Sequence, residues 1–271
     1  MRMNKATTFN VLAGAYDTGF VESLTGSAQR RVTYKWLRPL FAVKPNMQML
    51  EINCGTGADA FWMAQKGHTV TATDASPAMI ERAQRKAVLT PAPNQPVFQT
   101  CAFDQLLTTF QGRQFDGIVS NFAGLNCVSP AHMTRLAKQF YQLLRPGGYL
   151  AAVLFGKYCL WETMYYLLKA QPNQAFRRWT NKKVMVPLTA QVHQPVYYYS
   201  IKAFAQLMAP LQLIEKKPVG LCIPPSWMEG YMQKHRRFYQ TLVQWEEKTG
   251  NASIATSLAD HAFLLFKKEE Q

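Results

Sequence analysis

Acidic side chains are scarce in this chain: 16 Asp and Glu stand against 30 Lys and Arg, a formal net charge of +14 at pH 7 over 271 residues. Such an excess suits nucleic acid, an anionic substrate or an acidic membrane surface. No stretch of sequence claims it, however. Residues 1–150 carry 15 cations and 8 anions, and residues 151–271 repeat the same 15 and 8. With no basic tail or lysine block, a nucleic-acid partner is not favoured. Cysteine is sparse too. Five of them (Cys54, Cys101, Cys127, Cys159, Cys222), odd in number and without a C-x-x-C pair, exclude a disulfide framework and a zinc ribbon, and no metal site is expected. No apolar run reaches the length of a membrane span, and Met1 to Thr8 lacks the apolar stretch of a signal peptide. A reducing cytoplasm is the expected location. Repeats and low-complexity linkers are also missing, so residues 1–271 read as one domain of a size that buries a good core.

What is present is alternation. Short apolar runs at Met47 to Ile52, Thr69 to Thr73, Val97 to Cys101, Phe115 to Val119 and Tyr149 to Leu154 predict strands. Helical stretches fall between them, at Ala58 to Lys66, Ala78 to Val88, Gln105 to Phe110 and Pro130 to Leu144. An amphipathic segment from Ser27 to Phe41 precedes the first strand, with Val32, Trp36, Leu37 and Leu40 on its apolar face and Arg30, Arg31, Lys35 and Arg38 on other faces. This order predicts an α/β protein with a doubly wound, mostly parallel sheet covered on both sides.

Two pieces of that pattern carry chemistry. Met49-Leu50-Glu51-Ile52-Asn53-Cys54-Gly55-Thr56-Gly57 is a strand running into a glycine loop, where the backbone turns sharply and approaches a ligand closely. Val70-Thr71-Ala72-Thr73-Asp74 is a strand ending in a carboxylate, placed to accept hydrogen bonds from ribose hydroxyls. Gly55, Gly57 and Ala60 satisfy a G-x-G-x-x-[GA] spacing that would equally suit a nicotinamide enzyme. The surrounding order narrows the choice: Asp74-Ala75-Ser76-Pro77-Ala78-Met79, then Phe115-Asp116-Gly117-Ile118-Val119-Ser120, then Leu144-Arg145-Pro146-Gly147-Gly148-Tyr149-Leu150. With these motifs the chain resembles the class I S-adenosylmethionine-dependent methyltransferases of small-molecule type, over roughly residues 8 to 155 and the last strands.

The resemblance implies a seven-stranded, Rossmann-like sheet closed by an antiparallel hairpin, for which Leu211 to Leu221 and His261 to Lys268 are the strands, with Ile201 to Ala209 as the preceding helix. It implies S-adenosyl-L-methionine as cofactor and S-adenosyl-L-homocysteine as product. Gly55 and Gly57 would pass beneath the methionine part, with Cys54 and Thr56 giving main-chain contacts and Glu51 orienting the loop and the ammonium. Asn53 departs from the usual glycine but tolerates the left-handed region. Asp74 would hold the ribose, although Asp74-Ala75-Ser76-Pro77 also reads as the start of a helix. Ala75 and Met79 would lie against the adenine, Met79 serving equally as core. Ala102 falls where relatives place an acid for the adenine amino group, leaving that contact to backbone or Asp104, with Phe103 available to stack. Asn121 and Phe122 would line the floor beneath the sulfonium, and Tyr16 would close the pocket or pack on the sheet edge.

No catalytic residue is assigned, since methyl transfer needs alignment and dryness more than a base; His132 and His193 are the histidines placed to act as one. The D/N-P-P-[YF] tetrad of base methylation is absent from Ser120-Asn121-Phe122-Ala123. Two aromatic-rich excursions, residues 156–199 and 222–257, leave from strand carboxyl ends, carry four of the six tryptophans and predict a helical cap over the reacting methyl group. The function expected is methyl transfer to oxygen or nitrogen of a small or medium-sized, aromatic or anionic acceptor, with Lys157, Lys169, Arg177, Arg178, Lys182 and Lys183 as cations for an anion. An RNA methyltransferase and a non-catalytic cofactor-binding module are the alternatives. Oligomeric state is left open.

Overall fold

The computed structural model of the protein describes residues 9–90, 94–249 and 253–270. A single seven-stranded sheet has the order β3-β2-β1-β4-β5-β9-β8. β1 (Gln48–Ile52), β2 (Thr69–Asp74), β3 (Val97–Thr100), β4 (Phe115–Ser120) and β5 (Leu144–Phe155) pair in parallel, while β9 (His261–Lys267) runs antiparallel between β5 and β8 (Gln212–Val219). The sheet and its closing hairpin are those the sequence implies.

Burial on both faces explains the near-continuous apolar strands. Side chains alternate along a strand, so Met49, Val119, Ala151, Val153, Phe263 and Leu265 reach one core, and Leu50, Ile118, Leu150, Ala152, Leu264 and Phe266 reach the other. Helices α1 (Leu24–Val43), α2 (Ala58–Gln65) and α3 (Pro77–Leu89) contribute Trp36, Met63 and Ile80 to the first core. The short α4 (Leu106–Thr109), α5 (Pro130–Leu143) and α8 (Ile201–Leu207) contribute Leu106, Phe140 and Phe204 to the second.

Helix α1 begins three residues earlier than the sequence suggests. Its first two N–H groups, at Leu24 and Thr25, donate to the two oxygens of Glu229 at 2.8 and 3.0 Å, and Ser23 caps Gly26. A capping carboxylate 205 residues downstream leaves no local trace. The same helix holds a second departure: Arg30, assigned to a polar face by periodicity, is buried and ion-paired to Asp59.

The excursions differ from an all-helical cap. Residues 156–199 hold α6 (Leu160–Leu168), the single turn α7 (Pro172–Ala175) and an antiparallel hairpin of β6 (Val184–Pro187) and β7 (His193–Val196). Residues 222–257 hold α9 (Glu229–Lys234), α10 (Arg236–Thr249) and a 3-10 segment, Ser253–Leu258. The two meet where Trp227 lies against the rings of Tyr165 and Tyr166. The second also lies along α1, through a hydrogen bond from Tyr239 Oη to Leu24 O and one from Lys35 Nζ to Glu247 O.

Candidate functional site

The strand order reverses between β1 and β4, and in an open α/β sheet the crevice beyond those carboxyl ends is where a ligand binds. Left-handed backbone is concentrated there. Asn53, Gly55 and Gly57 after β1, and Phe122 and Ala123 after β4, all have positive φ. For a phenylalanine and an alanine this conformation costs energy, and such strain gathers at functional sites. Gly57 is fixed twice over: its φ is 83° and a Cβ there would stand 2.6 Å from the Phe98 ring. Asn53 makes its unusual angle with compensation, since its Nδ2 donates to Asn121 O and its Oδ1 accepts from Ser120 Oγ.

Around this loop the carboxylates are held in different ways. Asp74 accepts from Gly55 N at 2.9 Å and from Ser76 N at 2.8 Å, one bond per oxygen, so each oxygen keeps a second lone pair. Burial raises its carboxyl despite those bonds. Ser76, not Asp74, caps α3, accepting from Met79 N. Glu51 is buried at the end of β1, and its Oε2 has no hydrogen-bond partner among the described residues. Burial, then repulsion from Asp59, pushes its carboxyl well above the ordinary range against the pull of Arg30. Asp59 itself is surrounded by Arg30, Tyr34 Oη and Asn121 Nδ2.

An amino-terminal strap seals the loop. Tyr16 precedes a five-residue π-helix, Asp17–Val21, and its ring lies over Gly55, where a Cβ would come within 3.2 Å. Burial raises the Tyr16 phenol far above its usual value. Thr56 Oγ1 and Lys86 Nζ donate to Asp17 at 2.5 and 2.6 Å, and Ser76 Oγ donates to Asn10 Oδ1.

The sequence-derived residues therefore divide. Tyr16, Asn53, Cys54, Gly55, Thr56, Gly57, Asp74, Asn121 and Phe122 share hydrogen bonds or ring contacts around one crevice, and Glu51 lies on β1, the strand that leads into it. Ala75 is half-buried beside Asp74, while Met79 is fully buried in the interior. Ala102 and Phe103 are half-buried, Phe103 against the second core, and Asp104 is exposed. His132 bonds Ser129 at an exposed helix start and His193 is exposed on β7.

A further group was not legible in the sequence. His261 opens β9, opposite Phe155 at the end of β5. Because β9 is antiparallel, its first residue lies at the ligand end of the sheet. The imidazole stacks on Phe155 with centroids 4.8 Å apart and meets Phe122 edge-on at 5.7 Å. Its Nδ1 lies 3.3 Å from Asp260 Oδ2, so its Nε2 faces away from that carboxylate. Asp260 is tied down in turn by Gln29 Nε2 and Arg178 Nη2, both at 3.1 Å. Burial alone would raise the Asp260 carboxyl; His261 and Arg178 outweigh it and hold it far below the usual range. Gly156 permits this approach, since a Cβ there would strike Ala259 O at 2.1 Å.

The cations expected to greet an anion are partly spent. Arg177 forks onto Glu162 at 2.6 and 3.0 Å, and Arg178 reaches Glu162 at 2.8 Å as well as Asp260. Lys157 donates to Asn181. At the end of β5 a shallow recess is lined by Phe155, Tyr158, Tyr199, Ile201 and Ala262 among others, but not by His261.

The donor set fits a zwitterionic nucleoside: an orphaned buried carboxylate oxygen for an ammonium, a carboxylate with spare lone pairs for a diol, and a strained loop under an aromatic lid. Comparisons with known proteins agree. Residues 49–148 match the family described as methyltransferase domain. A carboxy-S-adenosyl-L-methionine synthase of Yersinia enterocolitica is 35% identical over 114 residues, 40% of this chain and 40% of that protein, so the match spans well under two thirds of that relative's length. A demethylmenaquinone methyltransferase of Paenarthrobacter aurescens is 26% identical over 191 residues, covering 69% of this chain and 70% of that one. Among solved structures, magnesium protoporphyrin IX methyltransferase of Synechocystis with bound S-adenosylhomocysteine superposes with a TM-score of 0.60 at 15% identity, over 97% of each chain. Among the described residues no helix is long and apolar enough to cross a membrane, and no cluster suits a metal ion. By its motifs, its strand order and these matches, the chain carries a methyltransferase domain over residues 49–148 and is similar to the class I S-adenosylmethionine-dependent methyltransferases.

Proposed function

We propose that the protein transfers the methyl group of S-adenosylmethionine to an oxygen or nitrogen of a small or medium-sized organic acceptor, and that the acceptor binds beside His261. The cofactor supplies an electrophilic methyl carbon on a positively charged sulfur. Glu51 receives the ammonium, Asp74 receives the ribose hydroxyls, and Tyr16 excludes water from above. As the new oxygen–carbon or nitrogen–carbon bond formed, the methyl–sulfur bond would break with its electron pair returning to sulfur, leaving S-adenosylhomocysteine, and the acceptor's proton would pass to His261 Nε2. Asp260 steadies the resulting imidazolium, and Phe155 and Phe122 keep the ring from turning. The two excursions form the cap that shapes the acceptor pocket.

One observation carries this reading: a histidine backed by a buried carboxylate is clamped between two rings, one of which follows the β4 end of the cofactor crevice. The aromatic rings of Phe155 and Phe122 around the imidazole support an organic acceptor. Spent arginines weaken the case for a strongly anionic one.

The test begins with calorimetric titration of S-adenosylmethionine and S-adenosylhomocysteine into wild type and Asp74→Ala. Transfer of label from methyl-tritiated cofactor to a panel of phenols and amines follows, with wild type and His261→Asn. Cofactor binding lost in the first variant, and label transfer lost in the second with binding retained, is the expected result. A wild type that binds neither ligand overturns the whole reading; a His261→Asn enzyme of full activity overturns the role of the histidine.

A further inference from the structure

Helix α6 is amphipathic the wrong way round. Its one acid, Glu162, is 1% exposed, while Leu160, Met164, Leu167 and Leu168 stand in solvent, Leu168 at 86%. Spacings of four, seven and eight residues from Leu160 place these four on one stripe of the helix. The arrangement is locked, because Glu162 takes hydrogen bonds from both Arg177 and Arg178 and the helix cannot roll without breaking them. Aromatic rings continue the surface. Half-exposed Trp179 follows Arg178 and contacts Tyr158 just before α6, and half-exposed Trp227 lies on Tyr165 of α6 itself.

The charges beside this stripe have one sign. Residues 156–199 contain six Lys and Arg and a single acid, Glu162. With Arg177, Arg178 and Lys157 already engaged, Lys169, Lys182 and Lys183 remain as exposed cations. Lys169 Nζ arches over the Tyr165 ring at 4.5 Å.

We propose that this face of α6 and its flanking tryptophans dock on an anionic lipid bilayer. Leucine and methionine side chains enter the acyl boundary, tryptophans sit at headgroup level, and lysines reach lipid phosphates and carboxylates; this is the combination an interfacial helix requires. The charge pattern selects that occupant. A second copy of the chain, docked face to face, would bring the same three lysines together, and nucleic acid offers nothing to four exposed aliphatic side chains. The proposal is independent of the acceptor's identity.

The test is cosedimentation of the full chain with vesicles of phosphatidylcholine alone and of phosphatidylcholine mixed with phosphatidylserine. At about fivefold per lysine near an anionic surface, the mixed vesicles bind roughly a hundredfold more tightly than the neutral ones. Met164→Gln with Leu168→Gln, both at exposed positions, abolishes sedimentation at an unchanged melting temperature. Lys182→Glu with Lys183→Glu removes the preference for anionic lipid. Wild type that stays in the supernatant with mixed vesicles, or Gln variants that bind as wild type does, overturns the proposal. So does a dimer in sedimentation velocity that the Gln variants dissolve without any vesicle binding.

Discussion

The two ends of the crevice are built on different principles. At the β1–β2–β3 end, the groups proposed to meet the cofactor lie on a contiguous loop, Glu51 to Gly57, and on Asp74 one strand away, much of it arranged through backbone geometry. At the β4–β5–β9 end, the proposed base and its supports come from side chains far apart in sequence. His261, Asp260, Arg178, Glu162 and Phe122 converge through buried charge and ring contacts. Backbone sites tolerate substitution around them, whereas buried charge networks fail as units.

That contrast can be broken most severely at Arg178. Replacing it by methionine leaves buried Glu162 to Arg177 alone and buried Asp260 to Gln29 and His261, and breaking a buried pair in this way costs about 3–5 kcal/mol, read as a fall in the urea midpoint at constant slope. The same network gives the molecule an acid limit. Asp260's folded-state carboxyl lies below its unfolded value, so its stabilisation is present above the unfolded value near 4 and drains away as pH falls toward the depressed one. At the chemical step, His261→Asn should lower turnover roughly a hundred- to ten-thousand-fold, with cofactor affinity held within about twofold. Equal losses in both would merge the two ends into one site.

Asp74→Ala addresses the other end. Losing two charge-assisted hydrogen bonds to a diol weakens S-adenosylmethionine about a hundredfold or more by calorimetry, with no demand on acceptor chemistry. The smallest effect sharpens the comparison through pH. Burial, then Asp59, raises Glu51, with Asp74 adding to the rise and Arg30 opposing it. An ammonium ligand prefers the ionised carboxylate, so binding expels a proton. Affinity should fall as pH drops below the raised value, by at most about tenfold per pH unit, and Glu51→Gln should flatten that slope. A slope unchanged in the variant would assign the proton to another group.

What the sequence disclosed follows the same division. The strand order and glycine loop were readable because alternation and left-handed turns are local properties, written within a few residues of where they act. Arg30 was misassigned because a hydrophobic period cannot distinguish a solvated arginine from one whose partner, Asp59, arrives 29 residues later. His261 is legible in the sequence only as the start of the last strand: nothing near it in the chain reveals Phe122, Phe155 or Arg178, and the antiparallel course of β9 is what brings it to the carboxyl end of the parallel strands. The excursions showed their aromatic content but not that Arg177 and Arg178 would be consumed by Glu162.

Glu229, which holds the first two N–H groups of α1, has a consequence for how the molecule is made. Those donors wait until 205 further residues have emerged, on the order of 10–40 s at about 5–20 residues per second of synthesis. The helix that carries Arg30 to Asp59 is thus started long before its amino-terminal clasp exists. During translation the nascent protein holds an open-ended helix beside an incomplete sheet, and the clasp from α9 closes only after those 205 residues have been made.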